Sequence, residues 1–94
     1  MATVMKMFWA GLTKKNYEDV RRETNFEGDA PRGGKYHVAW VTADGLHVLD
    51  VWESQGAFET FVQTRLMPTV KKLGIPGEPK VEFHEAQNTF APNP

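Results

Sequence analysis

The alternation of apolar and polar positions along this 94-residue chain predicts four strands and two helices. A compact apolar run over Thr3–Trp9 is typical of a first strand. Two further strand-like runs cover Tyr36–Thr42 and Leu46–Glu53, with an Asp-Gly pair between them. Lys80–Asn88 alternates again and suits a last strand. Together these runs account for the whole predicted sheet.

The two remaining segments have helical periodicity. After Thr13, which can cap a helix, Tyr17 and Val20 fall on one narrow apolar face. After Ser54, a second good cap, apolar residues recur at helical spacing and predict the main helix. They are Ala57, Phe58, Phe61, Val62, Leu66, Val70 and Leu73. Because Pro68 removes a backbone hydrogen bond, we expect this helix to kink or to break into two pieces.

The second and third strands are expected to form a hairpin, because Asp-Gly between alternating apolar runs favours a type I′ turn. With Asp44 and Gly45 as the turn residues, His37 would lie opposite Trp52. Asp50 would lie one pair further along the same face. Both faces of this hairpin are largely apolar, so we expect both to be covered.

The predicted order of elements is strand, helix, strand, strand, helix, strand. That order is typical of the ferredoxin-like α+β fold, βαββαβ, in which an antiparallel sheet carries both helices on one face. The other face would expose Val38, Trp40, Leu49 and Val51, and a bare apolar patch of this kind usually marks an interface. We therefore expect a homodimer that packs sheet against sheet, each copy being a single domain over residues 1–94.

Composition narrows the classes of partner. The chain has 11 Lys and Arg against 12 acidic residues and no basic stripe, so nucleic acid is not expected. Cysteine is absent, which excludes disulfides and thiolate metal sites and is compatible with a cytoplasmic protein. The apolar start, MATVMKMFWAGL, is too short to span a membrane and lacks the features of a signal peptide. No membrane association is expected.

Several short motifs carry a resemblance to a known superfamily. The run VWES followed by AFETF resembles the third strand and second helix of the dimeric α/β-barrel superfamily, which includes the antibiotic-biosynthesis monooxygenase-like proteins. YHVAW, DGLHVLDVWES, RLMP and EFHEAQN, between Tyr36 and Asn88, are similar to a group of small bacterial proteins of unassigned function in that superfamily. The resemblance implies a dimeric α/β barrel. It specifies the activity weakly, since this superfamily hosts oxygenases, haem-degrading enzymes, isomerase-like enzymes and proteins without a known reaction.

This chain departs from the superfamily at two positions, and these departures affect which cofactor and which site residues we expect in it. Haem-degrading members carry a histidine on the second helix as an iron ligand, and residues 54–73 contain none, so haem is not expected. The similar bacterial group often has a histidine where this chain has Gln87. The three histidines also lack helical ligand spacing, and the predicted register scatters them over both faces. We therefore expect neither a metal nor another cofactor.

His37 and Asp50 are the catalytic candidates. The resemblance implies that Trp52 lines a cavity between sheet and helices, where a flat apolar wall would hold a small aromatic or enolic molecule. Because imidazole titrates near neutral pH, His37 could exchange a proton with a phenol or enol while Asp50 orients its ring. Tyr17 and His84 complete the substrate-binding candidates: Tyr17 could close the pocket with its hydroxyl, and His84 could point toward the partner sheet or solvent.

Structural roles compete with these functional ones. Trp52 would also suit simple packing in the core, and a bond between His37 and Asp50 would satisfy two buried polar groups without any catalysis. Two functions therefore stay open: a cofactor-independent monooxygenase-like enzyme, and a non-catalytic dimer that binds a small apolar molecule or serves as an assembly module. A cavity lined by these three residues would favour the enzyme, whereas side chains filling that space would favour the second function.

Overall fold

Four antiparallel strands form the sheet in the computed structural model, which describes residues 2–92. They are β1 (Thr3–Ala10), β2 (Gly34–Thr42), β3 (Gly45–Trp52) and β4 (Lys80–Glu85). Their order across the sheet is β2-β3-β1-β4, so β1 and β3 are central and the other two are edges. The predicted ferredoxin-like α+β fold is confirmed. Met1, Asn93 and Pro94, which belong to the expected domain over residues 1–94, lie outside the described residues.

The first helix, α1 (Lys14–Thr24), begins directly after Thr13, the cap that its sequence predicts. The Thr13 hydroxyl accepts a hydrogen bond from the Asn16 amide at 3.1 Å, and the Asn16 side chain accepts one from the Thr13 amide at 3.1 Å. This reciprocal capping satisfies two amides that the helix itself leaves free. Asn25 ends the helix in the left-handed conformation, with a φ of 54°. Thr24 is buried.

The second helical region is interrupted by a π-helical turn just before Pro68, while the backbone stays right-handed helical at each junction. It consists of α2 (Gln55–Phe61), a π-helical turn (Val62–Leu66) and α3 (Met67–Leu73). The hydroxyl of Ser54 caps α2 by accepting from the Ala57 amide at 3.1 Å. Pro68 lies in the first turn of α3, where a missing amide hydrogen is tolerated. Within residues 2–92, no helix combines the length and apolar character that a bilayer span needs.

The register of the central hairpin differs from the predicted one. The pairing is displaced by two residues, so His37 lies opposite Asp50 rather than opposite Trp52. Because the displacement is an even number of residues, every side chain stays on the face that the pattern predicted. The correction brings the two catalytic candidates closer together than the sequence indicated.

Gly45 explains this error. The two turn residues are Ala43 and Asp44, and Gly45 is already the first residue of β3, with a φ of +146°. A Cβ atom on Gly45 would clash with the carbonyl oxygen of Trp9 on β1. Glycine is needed here because two backbones approach closely, and the Asp-Gly pair does not form a type I′ turn.

The two faces of the sheet differ in how they are covered. One face packs against the helices and supplies most of the core, whose buried members are Met5, Met7, Trp9, Leu12, Leu46, Val48, Trp52, Phe58 and Val70. The opposite face, here called the open face, carries the side chains of Val4, Lys6, Phe8, Tyr36, Val38, Trp40, His47, Leu49, Val51, Glu82 and His84. Trp40 is 48% exposed there and Tyr36 is 58% exposed. The predicted apolar patch is therefore present.

Candidate functional site

Four side chains from α1, β2 and β3 form a continuous series of hydrogen bonds on the helix-covered face. Trp52 Nε1 donates to Asp50 Oδ2 at 3.0 Å. The other carboxylate oxygen, Oδ1, lies 2.6 Å from His37 Nδ1, and His37 Nε2 lies 2.6 Å from the Tyr17 hydroxyl. We call these four residues the polar chain. Four of the five residues predicted to form the site thus lie together.

Secondary structure explains why the four residues meet. Asp50 and Trp52 are two apart on β3 and therefore point to the same face. His37 is the cross-strand partner of Asp50 on β2, so its ring lies beside the carboxylate. Tyr17, in the first turns of α1, reaches His37 from the helix layer.

The chemistry of these groups gives the hydrogen bonds one direction. An indole N–H can only donate, so Asp50 accepts from Trp52. A carboxylate accepts at both oxygens, so His37 donates its Nδ1–H to Asp50. The lone pair of a neutral imidazole is then at Nε2, where it accepts from the Tyr17 hydroxyl. The polar chain therefore ends in one basic nitrogen that is already bound to a phenol.

Asp50 is the most deeply placed charged group of the polar chain, with 6% of its surface exposed. An unpaired carboxylate at this depth would be strongly destabilising. Both of its oxygens have donors, from Trp52 and His37. Within residues 2–92, no buried side-chain nitrogen or oxygen lacks a partner. The structure therefore holds Asp50 in one orientation.

Tyr17 keeps its proton far above neutral pH. Burial raises the pKa of its hydroxyl to about 12, and Arg21 partly opposes the rise. The carboxylates of Glu27, Glu18 and Asp50 raise the pKa further. The phenol is therefore neutral over the whole physiological range and remains a hydrogen-bond donor to the imidazole.

An apolar cavity of about 250 Å³ lies beside the polar chain. All four residues of the chain lie on its wall. The rest of the wall is mainly apolar and aromatic, and includes Met5, Trp9, Phe26, Phe58, Phe61 and Leu66. An apolar hollow with a few convergent polar groups is the usual form of a small-molecule site. The cavity expected near His37, Asp50 and Trp52 is present in the structure.

Aromatic contacts hold the rings of the polar chain in place. Trp52 packs edge-on against Phe58 at 5.6 Å and lies 5.6 Å from Phe61. Phe26 lies edge-on to the ring of His37 at 5.0 Å. The sequence did not indicate Phe26, because it belongs to a glycine-rich loop without periodicity. A lone large aromatic residue in such a loop was the one signal that could have found it.

The structure does not bring His84 to this site. It lies on the open face of β4 with 57% of its side chain exposed, and its Nε2 is 3.0 Å from Glu82 Oε2. Since alternate residues of a strand point to opposite faces, Phe83 contacts the core instead. Within residues 2–92, no group of three His, Asp or Glu side chains is gathered closely enough to hold a metal ion.

Solved structures share this architecture across nearly their whole length. SnoaB, a cofactor-independent oxygenase from Streptomyces nogalater, matches with a TM-score of 0.63 and 20% identity over 94% of each chain. NE2512, a protein of unknown function from Nitrosomonas europaea, has a TM-score of 0.68 and 12% identity, over 98% of this chain and 94% of that one. A Deinococcus radiodurans protein provisionally described as an antibiotic biosynthesis monooxygenase has a TM-score of 0.56 and 16% identity over 99% of both chains. This chain has the same ferredoxin-like α+β fold as these proteins.

These matches confirm the ferredoxin-like architecture that the sequence motifs suggested. No family model matches the sequence, and a search of curated proteins finds no match. Identities of 20% or less leave the function to be argued from the site itself.

Proposed function

We propose that this protein binds a hydroxylated aromatic or enolic molecule in the apolar cavity and removes its hydroxyl proton at His37 Nε2, as a cofactor-independent monooxygenase-like enzyme. The observation that carries this proposal is the polar chain, which places a histidine oriented by a carboxylate on the wall of an apolar cavity. SnoaB, with the same fold, is a cofactor-independent oxygenase. This likeness supports the choice of reaction class.

The proton transfer uses groups that are already aligned. A ligand hydroxyl placed at Nε2 gives its proton to the imidazole, which becomes positively charged. Asp50 stabilises this imidazolium through the bond from Nδ1–H, and it also keeps the lone pair of the neutral ring at Nε2. Trp52 holds the second carboxylate oxygen, so Asp50 does not turn away during the transfer. The apolar lining disfavours water and so strengthens these interactions.

Molecular oxygen is the oxidant in this proposal. The phenolate or enolate is electron-rich, and dioxygen adds to the carbon conjugated with its charged oxygen. That carbon carries two hydrogen atoms in the keto form and one in the ionised form. The O–O bond of the resulting peroxide then breaks as the carbon loses its remaining hydrogen, which leaves a C=O bond. The outer oxygen atom leaves as water with that hydrogen and the proton held by His37. Since the substrate supplies all four electrons that reduce dioxygen, no external reductant is required.

The proposal includes a homodimer formed through the open face. That face carries the exposed rings of Tyr36 and Trp40 together with Val38, Leu49 and Val51, which are only partly buried. An apolar patch of this kind is unusual on a lone small protein, and a two-fold axis would pair it with itself. A chain of 94 residues also buries little apolar surface on its own, so association would stabilise it.

Oxygen uptake with anthrone tests the enzyme proposal, because anthrone enolises to a phenol and has the required CH₂ group. His37→Gln keeps a polar side chain but removes the base, and should lower the rate by about 10²- to 10⁴-fold. His47→Gln, on the open face, is the matched control and should keep the wild-type rate. Equal rates in the wild type and His37→Gln would contradict the proposal.

A non-catalytic binding protein is the second candidate, and one observation favours it. Every polar group of the polar chain has a partner inside the protein, as in a structural network. In that case anthrone binds, and quenches tryptophan fluorescence, without any oxygen uptake above the uncatalysed rate. Measuring binding and oxygen uptake on the same sample separates the two functions.

A further inference from the structure

The hydroxyl of Tyr17 occupies the place that a ligand hydroxyl would need. It is a phenol, and it lies 2.6 Å from His37 Nε2, the nitrogen on which the proposed function depends. We propose that Tyr17 is a built-in competitor: a phenolic or enolic ligand binds by displacing the Tyr17 hydroxyl from His37, and the cavity therefore selects ligands that donate a hydroxyl hydrogen. This inference rests on the proposed function and specifies how its site chooses a ligand.

Displacement follows from the capacity of the imidazole. With Nδ1–H donating to Asp50, the neutral ring has a single lone pair, at Nε2. One lone pair accepts one strong hydrogen bond, so Tyr17 and a ligand cannot both bind it fully. A ligand that only accepts hydrogen bonds cannot replace Tyr17 in this way, because it would leave Nε2 without a donor.

The Tyr17 ring has space into which it can move. It lies on the wall of the main cavity and also borders a second, open hollow of about 310 Å³ at the surface. That hollow is lined by Lys14, Glu18, Ala39, Trp40, Val41 and Leu46. Rotation about the side-chain bonds of Tyr17 would carry its hydroxyl from His37 toward this hollow. Glu18 pairs there with Arg21 through Oε1 at 2.9 Å, and its other carboxylate oxygen can accept from the displaced hydroxyl.

The protonation state of Tyr17 favours competition over proton relay. Because burial raises the pKa of its hydroxyl to about 12, Tyr17 is a weaker acid than an ordinary phenol. It is therefore a poor proton donor to the imidazole and remains a neutral hydrogen-bond donor at every working pH. The stacked arrangement of the two rings, 9° apart in plane with centroids 6.1 Å apart, adds little restraint beyond the hydrogen bond itself.

Fluorescence titration with two matched ligands tests the displacement. 1-Naphthol donates a hydroxyl hydrogen, whereas 1-methoxynaphthalene has the same rings and cannot donate. Tyr17→Phe removes only the competing hydroxyl and should bind 1-naphthol about 2- to 12-fold more tightly than the wild type, which corresponds to one ordinary hydrogen bond. The affinity for 1-methoxynaphthalene should not change.

A second measurement needs no variant. Addition of 1-naphthol to the wild type should move the ¹⁵N resonance of His37 Nε2 and leave that of His47 unchanged, since only His37 exchanges its phenol partner. Equal or weaker binding of 1-naphthol by Tyr17→Phe overturns the displacement proposal, as does a parallel gain in affinity for both ligands.

His37→Gln separates this inference from the proposed function. If His37→Gln binds 1-naphthol as tightly as the wild type, the proposed function itself fails. If His37→Gln weakens binding and Tyr17→Phe does not strengthen it, the proposed function stands and only the displacement by ligand is overturned.

Discussion

The central hairpin carries two histidines in aromatic surroundings, one on each face of the sheet, and they differ in one decisive respect. His37 lies edge-on to Phe26 on the helix-covered face and is bound to Asp50. On the open face, His47 stacks on Trp40 with ring centroids 5.1 Å apart. Aromatic neighbours are common to both. A buried carboxylate and an adjoining cavity distinguish His37, and these make it the candidate base.

The partners of His47 indicate a different role. Its Nε2 lies 3.1 Å from the Thr42 hydroxyl, and its ring is 4.8 Å from that of Phe8. A hydroxyl can orient an imidazole but does not stabilise its positive charge as a carboxylate does. His47 is therefore suited to filling a flat aromatic surface, whereas His37 is suited to accepting a proton.

The largest expected difference between the two faces is in their contribution to folding. Met5 on the helix-covered face is 0% exposed, so Met5→Ala should lower the free energy of unfolding by about 2–5 kcal/mol. Leu49→Ala on the open face removes a similar volume from a partly solvated position and should cost less, about 1 kcal/mol at concentrations where the chain is monomeric. Urea denaturation of both variants measures the difference. Equal costs would mean that the two faces are buried alike.

A charge on the open face should affect association rather than folding. Leu49→Lys places an ammonium group in the middle of the proposed dimer interface, where it would lose water without gaining a partner. We expect self-association to weaken by about 100-fold or more, while the circular dichroism spectrum stays native. Sedimentation velocity over a range of concentrations gives the dissociation constants.

Lys6→Gln is the matched control, since Lys6 lies on the same face but pairs with Glu82 at 3.6 Å and is well exposed. It should change self-association little. A wild-type protein that remains monomeric at high concentration would contradict the proposed dimer itself.

The hydrogen bonds of the polar chain should depend on both carboxylate oxygens of Asp50, because each oxygen accepts one of them. Asp50→Asn keeps the shape but replaces one acceptor by an NH₂ group. Either Trp52, which is buried, or His37, which has 32% of its side chain exposed, then loses its partner. The expected cost is about 1–3 kcal/mol of stability, together with a change in the tautomer of His37 seen by ¹⁵N NMR. Asp44→Asn, in the exposed hairpin turn, is the control and should change neither quantity.

The sequence predicted the elements of the fold well because each one has a local cause. Thr13 and Ser54 cap their helices through their own hydroxyls, and Pro68 lies directly after the π-helical turn that interrupts the second helical region. Alternation alone placed Leu49 on the open face and Asp50 on the covered one. These features depend on a few neighbouring residues, so they can be read without knowing the tertiary structure.

Features that depend on contacts between residues far apart in the sequence were harder to predict. The Asp-Gly pair predicted the wrong hairpin register because Gly45 is required by the backbone of β1, which is remote in sequence. His84 was a site candidate by residue type, yet the pairing of β4 with β1 places it on the open face. The hydrogen bond between Tyr17 and His37 joins a helix to a strand 20 residues away, and no local pattern specifies it.

Alkaline pH should reveal the environment of Tyr17. The pKa of its hydroxyl is about 10 in the unfolded chain and about 12 in the folded protein, so the unfolded state loses its proton first. The stability that Tyr17 contributes should be complete below pH 10 and should fall as the pH rises from 10 to 12. Because Tyr17 is only half-buried, the change should be smaller than the effect of Asp50→Asn.

Comparison with Tyr17→Phe isolates this contribution from the lysines and from Tyr36, which titrate in the same range. The difference in unfolding free energy between the wild type and Tyr17→Phe should shrink between pH 10 and 12. A difference that stays constant over that interval would show that the Tyr17 hydroxyl ionises as easily in the folded protein as in the unfolded chain.

The smallest expected effect sharpens the comparison between the two histidines. His47→Gln removes the ring that stacks on Trp40 but leaves a side chain able to bond the Thr42 hydroxyl. The cost should therefore be only about 0.5 kcal/mol, the low end for an aromatic pair, because one side of this pair faces solvent in the monomer. In the proposed dimer the same stack is buried, so the cost per chain should rise with protein concentration. Denaturation at low and high protein concentration measures both values. A large loss of stability in the monomer would show that the contacts of His47 contribute as much to folding as those of His37.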